Sequence, residues 1–154
     1  MSLFLDTGIL GMVTHPLANI GNNACLSWMM ACIDAGSVVC VPEIADYELR
    51  REYVRTTNKK SLARLEQMNT NVAEYVPITT GAMREAANLW AKMRNEGTPT
   101  AQHFALDGDV ILAAQAQGYS AIKSDIVIVV TTNVAHLSRL TVAKMWTDLP
   151  ITKY

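Results

Sequence analysis

The stretch from Ile126 to Val130 is five apolar residues in a row, all of them valine or isoleucine, with no polar position among them. A strand with one wet face alternates apolar and polar side chains, so an unbroken β-branched run reads as a strand covered on both faces. That requires helices above and below a sheet. The other elements agree. From Leu3 to Leu5 a short apolar run ends at Asp6, and from Val38 to Val41 the residues are again small or β-branched and apolar. Both are predicted buried strands.

Helical spacing separates these runs. Leu26, Met29, Met30 and Ile33 recur at i, i+3, i+4 and i+7, with Asn22 or Asn23 as the expected cap and Gly36 as the stop. Pro42 is expected in the first turn of the next helix, running to about Asn58, with a shorter helix from Ser61 to Met68. Tyr75 to Ile78 is expected as an edge strand, because Pro77 cannot donate to a ladder. Thr79 or Thr80 caps a predicted long helix that places Met83, Ala86, Ala87, Trp90 and Met93 on one face and stops at Gly97. Residues 98–106 read as a loop. Asp107 caps a predicted helix through Ala116, ended by Gly118, and Asn133 opens a short last helix. Strands alternating with helices give an α/β chain with a mainly parallel sheet. The last dozen residues carry no clear pattern.

At 154 residues the chain suits one domain, and half of it is hydrophobic against 18% charged, which excludes a disordered chain. The net charge of -1 gives no overall attraction to phosphate, so any nucleic-acid contact has to come from a local patch. Cys25, Cys32 and Cys40 lie in apolar runs without metal spacing and read as reduced core residues of a cytoplasmic protein. Neither a signal peptide nor a membrane helix is expected, the latter needing ~20 apolar residues.

In an open α/β sheet, ligands bind beyond the carboxyl ends of the strands. Asp6 follows the first strand, Glu48 lies two turns into the helix after the second, Asp107 and Asp109 open a later helix, and Thr131, Thr132 and Asn133 follow the last strong strand. Each has an ordinary reading. Asp6, Asp107 and Asn133 suit helix caps, Asp109 suits the positive end of a helix, and Glu48 suits a solvated helix face that borders Ile44, Ala45 and Leu49. What those readings leave unexplained is several carboxylates on one rim. Carboxylates brought together repel unless a cation neutralises them, and oxygen donors with open positions suit Mg2+ or Mn2+.

The ordered segments resemble those of PIN-domain nucleases. MSLFLDTGIL is similar to the family's opening strand ending in Asp and Thr or Ser, PEIADYELRRE to its second motif with Glu48, LDGDVILAAQAQGY to its third with Asp109, and IVIVVTTNVAHLSRL to its last strand and T-x-N/D end. The resemblance implies a Rossmann-like α/β/α sandwich over residues 1–154 and Mg2+- or Mn2+-dependent hydrolysis of RNA phosphodiesters. It also implies kinship with VapC-like toxins, which commonly form homodimers and are silenced by a small antitoxin. It assigns Asp6, Glu48 and Asp109 as metal ligands or orienters of attacking water. The fourth position, usually acidic in the family, falls on Asn133, which brings an oxygen but no charge. Thr7 and Thr131 are expected to support the ligands by hydrogen bonds.

Between Arg50 and Arg64 the chain carries Arg50, Arg51, Arg55, Lys59, Lys60 and Arg64 against Glu52 alone. Two readings stand: a phosphate-binding surface beside Glu48, or the solvated face of two helices. Tyr47 and Tyr53 suit either base stacking or the core. His15 and His103 carry no metal spacing, and His136 is expected at the surface. The competing functions are an RNA- or partner-binding domain of the same fold that does not cut, and a small-molecule α/β enzyme. The absence of G-x-G-x-x-G and of a P-loop counts against the last.

Overall fold

A computed structural model describes residues 1–17, 19–99 and 107–151; His103 and most of the 98–106 loop lie outside these. The strands are β1 (Ser2–Leu5), β2 (Val38–Pro42), β3 (Glu74–Val76), β4 (Val127–Val130) and β5 (Ala143–Lys144). The helices are α1 (Thr7–Thr14), α2 (Ile20–Asp34), α3 (Glu43–Arg55), α4 (Lys59–Gln67), α5 (Thr80–Asn95), α6 (Gly108–Lys123) and α7 (Val134–Leu137). Every pairing in the sheet is parallel, in the order β3-β2-β1-β4-β5. Helices cover both faces, so the fold is the α/β/α sandwich expected.

Strand pleating divides the core into two. Leu3, Leu5, Val39, Val41, Ile128 and Val130 point to one face and pack with Ile9, Leu10, Met29 and Leu65 from the helices there. Phe4, Cys40, Val127 and Val129 point to the other and pack with Ala86, Met93, Ala113 and Leu137. Successive side chains of a strand alternate faces, and both faces here are apolar, which is why the sequence of β4 shows no alternation. The three cysteines are buried and free, as read from the sequence.

Several boundaries differ from expectation, each for a local reason. The segment 7–14, to which the sequence reading gave no element, is α1; Asp6 caps it and Ile9, Leu10 and Val13 bury its inner face. Asn19, rather than Asn22 or Asn23, caps α2 by accepting the Asn22 N–H at 2.7 Å. Pro42 ends β2 and stands just before α3, and α3 stops at Arg55 because Thr57 turns to a φ of 54° and Asn58 caps α4 instead. On α5 the buried positions are Ala82, Ala86 and Met93, while Met83 remains 42% exposed. Gly118 does not end α6: a side chain there would meet open space, and the helix continues because Tyr119 packs its ring edge-on to Phe4 at 5.2 Å. It stops at Ser124, in the left-handed conformation. The unpatterned tail supplies β5 and a 3-10 turn, Trp146–Asp148. Among the described residues no helix is long and apolar enough to cross a membrane.

Candidate metal centre and nucleic-acid interface

The strand order reverses direction of growth between β1 and β4, and crevices open at the carboxyl ends of strands at such a point. Asp6 ends β1 there and Thr131 follows β4. The Thr131 hydroxyl donates to Asp6 Oδ2 at 2.7 Å and accepts the Asn133 N–H at 2.9 Å. With Thr131 fully buried, this one hydroxyl ties the two strand ends together. The other Asp6 oxygen, Oδ1, accepts the Thr7 N–H at 2.6 Å. Burial pushes the Asp6 carboxyl above its ordinary pKa; the Thr131 and Thr7 hydrogen bonds oppose the rise and the Asp109 charge adds to it.

Glu48 joins from α3. The Thr7 hydroxyl donates to Glu48 Oε2 at 2.6 Å, so adjacent groups of one residue hold two carboxylates. Glu48 lies against the first turn of α6: a Cβ added to Gly108 would overlap Glu48 Oε1 and come within 3.1 Å of its Cδ. The glycine is the space that this carboxylate occupies. One residue on, Asp109 stands in the first turn of α6, while Asp107 is buried and caps the helix through the Val110 N–H at 3.4 Å. Burial raises the Asp109 pKa first; a hydrogen bond and the charge of His136 lower it, and the charges of Asp107 and Glu48 raise it again.

The structure thus brings Asp6, Glu48 and Asp109 from β1, α3 and α6 to one rim, close enough to act on each other's charge. They do not form a closed chelate: among the described residues no three acidic, histidine or cysteine groups are gathered tightly enough to hold an ion by themselves. The donor set still fits a hydrated cation. Mg2+ keeps several waters and takes one or two carboxylates, with further oxygens from a phosphate. Asp109 meets the charges of both Asp6 and Glu48, and the space beside Gly108 keeps Glu48 against the first turn of α6.

His136, expected at the surface, is half-buried with Nδ1 2.7 Å from Asp109 Oδ2. Its signal in the sequence was its place one helical turn beyond Asn133. Asn133 itself is exposed just before α7, and its side chain makes no capping bond.

The basic stretch divides. Arg50 lies about 200° around α3 from Glu48. Its guanidinium is spent on buried Asp46, at 2.8 and 2.9 Å, and on Glu66. Arg55 pairs with Glu52 in solvent at 2.9 Å. Arg51 lies 5.3 Å over the half-exposed Tyr47 ring. Arg64 donates to the His15 carbonyl at 2.7 Å, and Lys59 and Lys60 are exposed. Tyr53 is core.

Comparison with known proteins gives the same fold. No protein-family model matches this chain, and no curated protein sequence does. Solved structures do. A chain of VapBC2 from Rickettsia felis, bound to a DNA fragment from their promoter, aligns with a TM-score of 0.69 at 16% identity, covering 95% of this chain and 99% of that one. A chain of FitAcB from Neisseria gonorrhoeae aligns at 0.65 and 17%, covering 96% and 99%. A chain of DNA-bound VapBC from Salmonella typhimurium aligns at 0.64 and 17%, covering 95% and 98%. At these identities the likeness is one of fold, and the fold is PIN-like over nearly the whole chain.

Proposed function

We propose that residues 1–154 form one PIN-like nuclease domain, a metal-dependent endoribonuclease acting as a VapC-like toxin in the cytoplasm. The observation that supports this most is the meeting of Asp6, Glu48 and Asp109, from three separate elements, at the point where the strand order reverses. Helix capping accounts for Asp6 alone; it does not account for Glu48 resting on a glycine beside Asp109.

In this reading Asp6 and Asp109 would hold Mg2+ or Mn2+, which when bound would supply Lewis-acid charge to a phosphodiester and lower the pKa of a water. Glu48, fixed through Oε2 by Thr7, would orient the attacking water with Oε1 and take its proton as the new P–O bond forms and the bond to the leaving ribose oxygen breaks, that oxygen being protonated from solvent. Thr131 keeps the Asp6 carboxylate from turning. Asn133 offers its amide to a phosphate oxygen. Arg51 and Arg55 draw the RNA backbone along α3; Arg50, already paired, contributes by holding Asp46. The partners are an RNA substrate, a second copy of the chain and a small antitoxin. Support for the antitoxin is the likeness to chains solved as VapBC complexes, and support for a second copy is the resemblance of the four sequence segments.

The test is cleavage of a mixed tRNA and rRNA pool by the purified chain. Mg2+ or Mn2+ should give products, EDTA should suppress them, and Asp6→Asn and Asp109→Asn should abolish them with the fold retained. A second reading, RNA or partner binding without cleavage, is favoured by the uncharged Asn133 and the open spacing of the carboxylates. Salt-sensitive RNA binding with no cleavage of any RNA in Mn2+ would select it.

A further inference from the structure

We infer that His136 is a positioning residue: its imidazole fixes Asp109 by Oδ2 and so leaves Oδ1 as the oxygen offered to a cation. The inference rests on the metal-centre reading above and assigns it a residue that the four sequence segments did not. Asp6 is held at both oxygens and Glu48 at one, by Thr7 and Thr131. Asp109 has a single hydrogen-bond partner among the described residues, His136 Nδ1. An ionised carboxylate only accepts, so Nδ1 carries the hydrogen.

Without that donor the surroundings push Asp109 elsewhere. Asp107 and Glu48 repel it, and the N–H groups of the first turn of α6 attract a carboxylate. The imidazole counters both forces from outside the helix. Its own placement is built in: Asn133 is pinned to Thr131, the His136 N–H bonds to the Asn133 carbonyl at 3.3 Å, and Leu137, fully buried beside it, anchors α7. The ring has no second hydrogen-bond partner among the described residues. Groups that hydrogen-bond a metal ligand fix its orientation and typically contribute about 10–100-fold to metal affinity or activity.

The experiment is Mn2+ binding by titration calorimetry to the full chain, in parallel with its thermal melt, for the parent, His136→Ala, His136→Asn, His136→Gln and Asp109→Asn. The amide nitrogen of Asn sits as many bonds from Cα as Nδ1 does, whereas that of Gln sits where Nε2 would. Ala and Gln are expected to weaken Mn2+ binding about 10–100-fold. Asn should recover most of it, and the metal-free melts of the three His136 variants should stay with that of the parent. Ala or Gln binding Mn2+ as tightly as the parent, while Asp109→Asn binds it weakly, would overturn the role of His136 and leave the metal centre standing. An unchanged affinity in Asp109→Asn as well would overturn both. Recovery by Gln and not by Asn would place the function on the other ring nitrogen and reject this account.

Discussion

The Thr131 hydroxyl donates to Asp6 across 2.7 Å, joining residues 125 positions apart in sequence. It does so where β1 and β4, neighbours in the sheet, release the chain toward opposite sides of the strand order. The bond is a stitch across the crevice and not a packing accident, since the same hydroxyl also accepts the N–H that positions Asn133. Thr131→Val keeps the buried shape and removes the hydroxyl. RNA cleavage is expected to fall about 10–100-fold, as for other groups supporting a metal ligand. Circular dichroism should report the parental fold. Undiminished cleavage would show that Asp6 keeps its orientation unaided.

Gly108 is required by space rather than by backbone. Alanine favours a helix over glycine by about 1 kcal/mol, so helix propensity alone favours Gly108→Ala. The added carbon overlaps Glu48 Oε1 and displaces that carboxylate. The expected result is an intact melt with cleavage reduced to the level of Glu48→Gln. A melt together with full activity would remove Glu48 from the proposed mechanism.

Asp6 and Asp109 give the metal-free protein a defined pH response. Burial raises both pKa values above those of the unfolded chain, about 3.9 for aspartate. As pH rises through the window between unfolded and folded values, the unfolded state binds fewer protons, so stability falls across it. The cost is absent below that window and complete above it. Asp109→Asn should therefore raise the metal-free Tm at neutral pH, its amide oxygen still accepting from His136. Mn2+ should raise the Tm of the parent more than that of the variant. A lower Tm for Asp109→Asn in metal-free buffer would contradict the electrostatic account.

The arginines of α3 are expected to separate by role. Arg51→Gln with Arg55→Gln should weaken RNA binding and reduce the slope of log K against log salt by about 1.4, for two phosphates of a single strand, while the Tm holds. Arg50→Gln leaves buried Asp46 short of its strongest partner and should cost about 1–3 kcal/mol in denaturant unfolding. If Arg50→Gln instead alters only RNA binding, the division is wrong.

Much of this arrangement was legible before any coordinates. Apolar runs ending in Asp6 and in Thr131 gave the strands and their functional ends, because a strand buried on both faces has to be apolar throughout. The fold class gave a rim that carried Asp6, Glu48, Asp107 and Asp109, and it was the resemblance of the four segments that singled out Asp6, Glu48 and Asp109. Contacts that depend on side-chain direction were not readable. His136 looks like any polar residue of a short helix until α7 is placed against α6. The pairing of Arg50 with Asp46 and Glu66 needs the packing of α3 on α4, so charge counting along the chain overstated the free basic surface. Gly118 reads as a stop locally, yet Tyr119 packing on Phe4 carries α6 through it. The α1 segment carries two glycines and a short apolar face, too little periodicity to register without Asp6 at its head.

Diffraction from crystals soaked in Mn2+, with anomalous differences recorded at the manganese edge, tests the shared-cation claim most directly. A peak within coordination distance of carboxylate oxygens of both Asp6 and Asp109, completed by waters, is the predicted result. Density showing the two carboxylates turned apart, with no peak between them at saturating Mn2+, would contradict it.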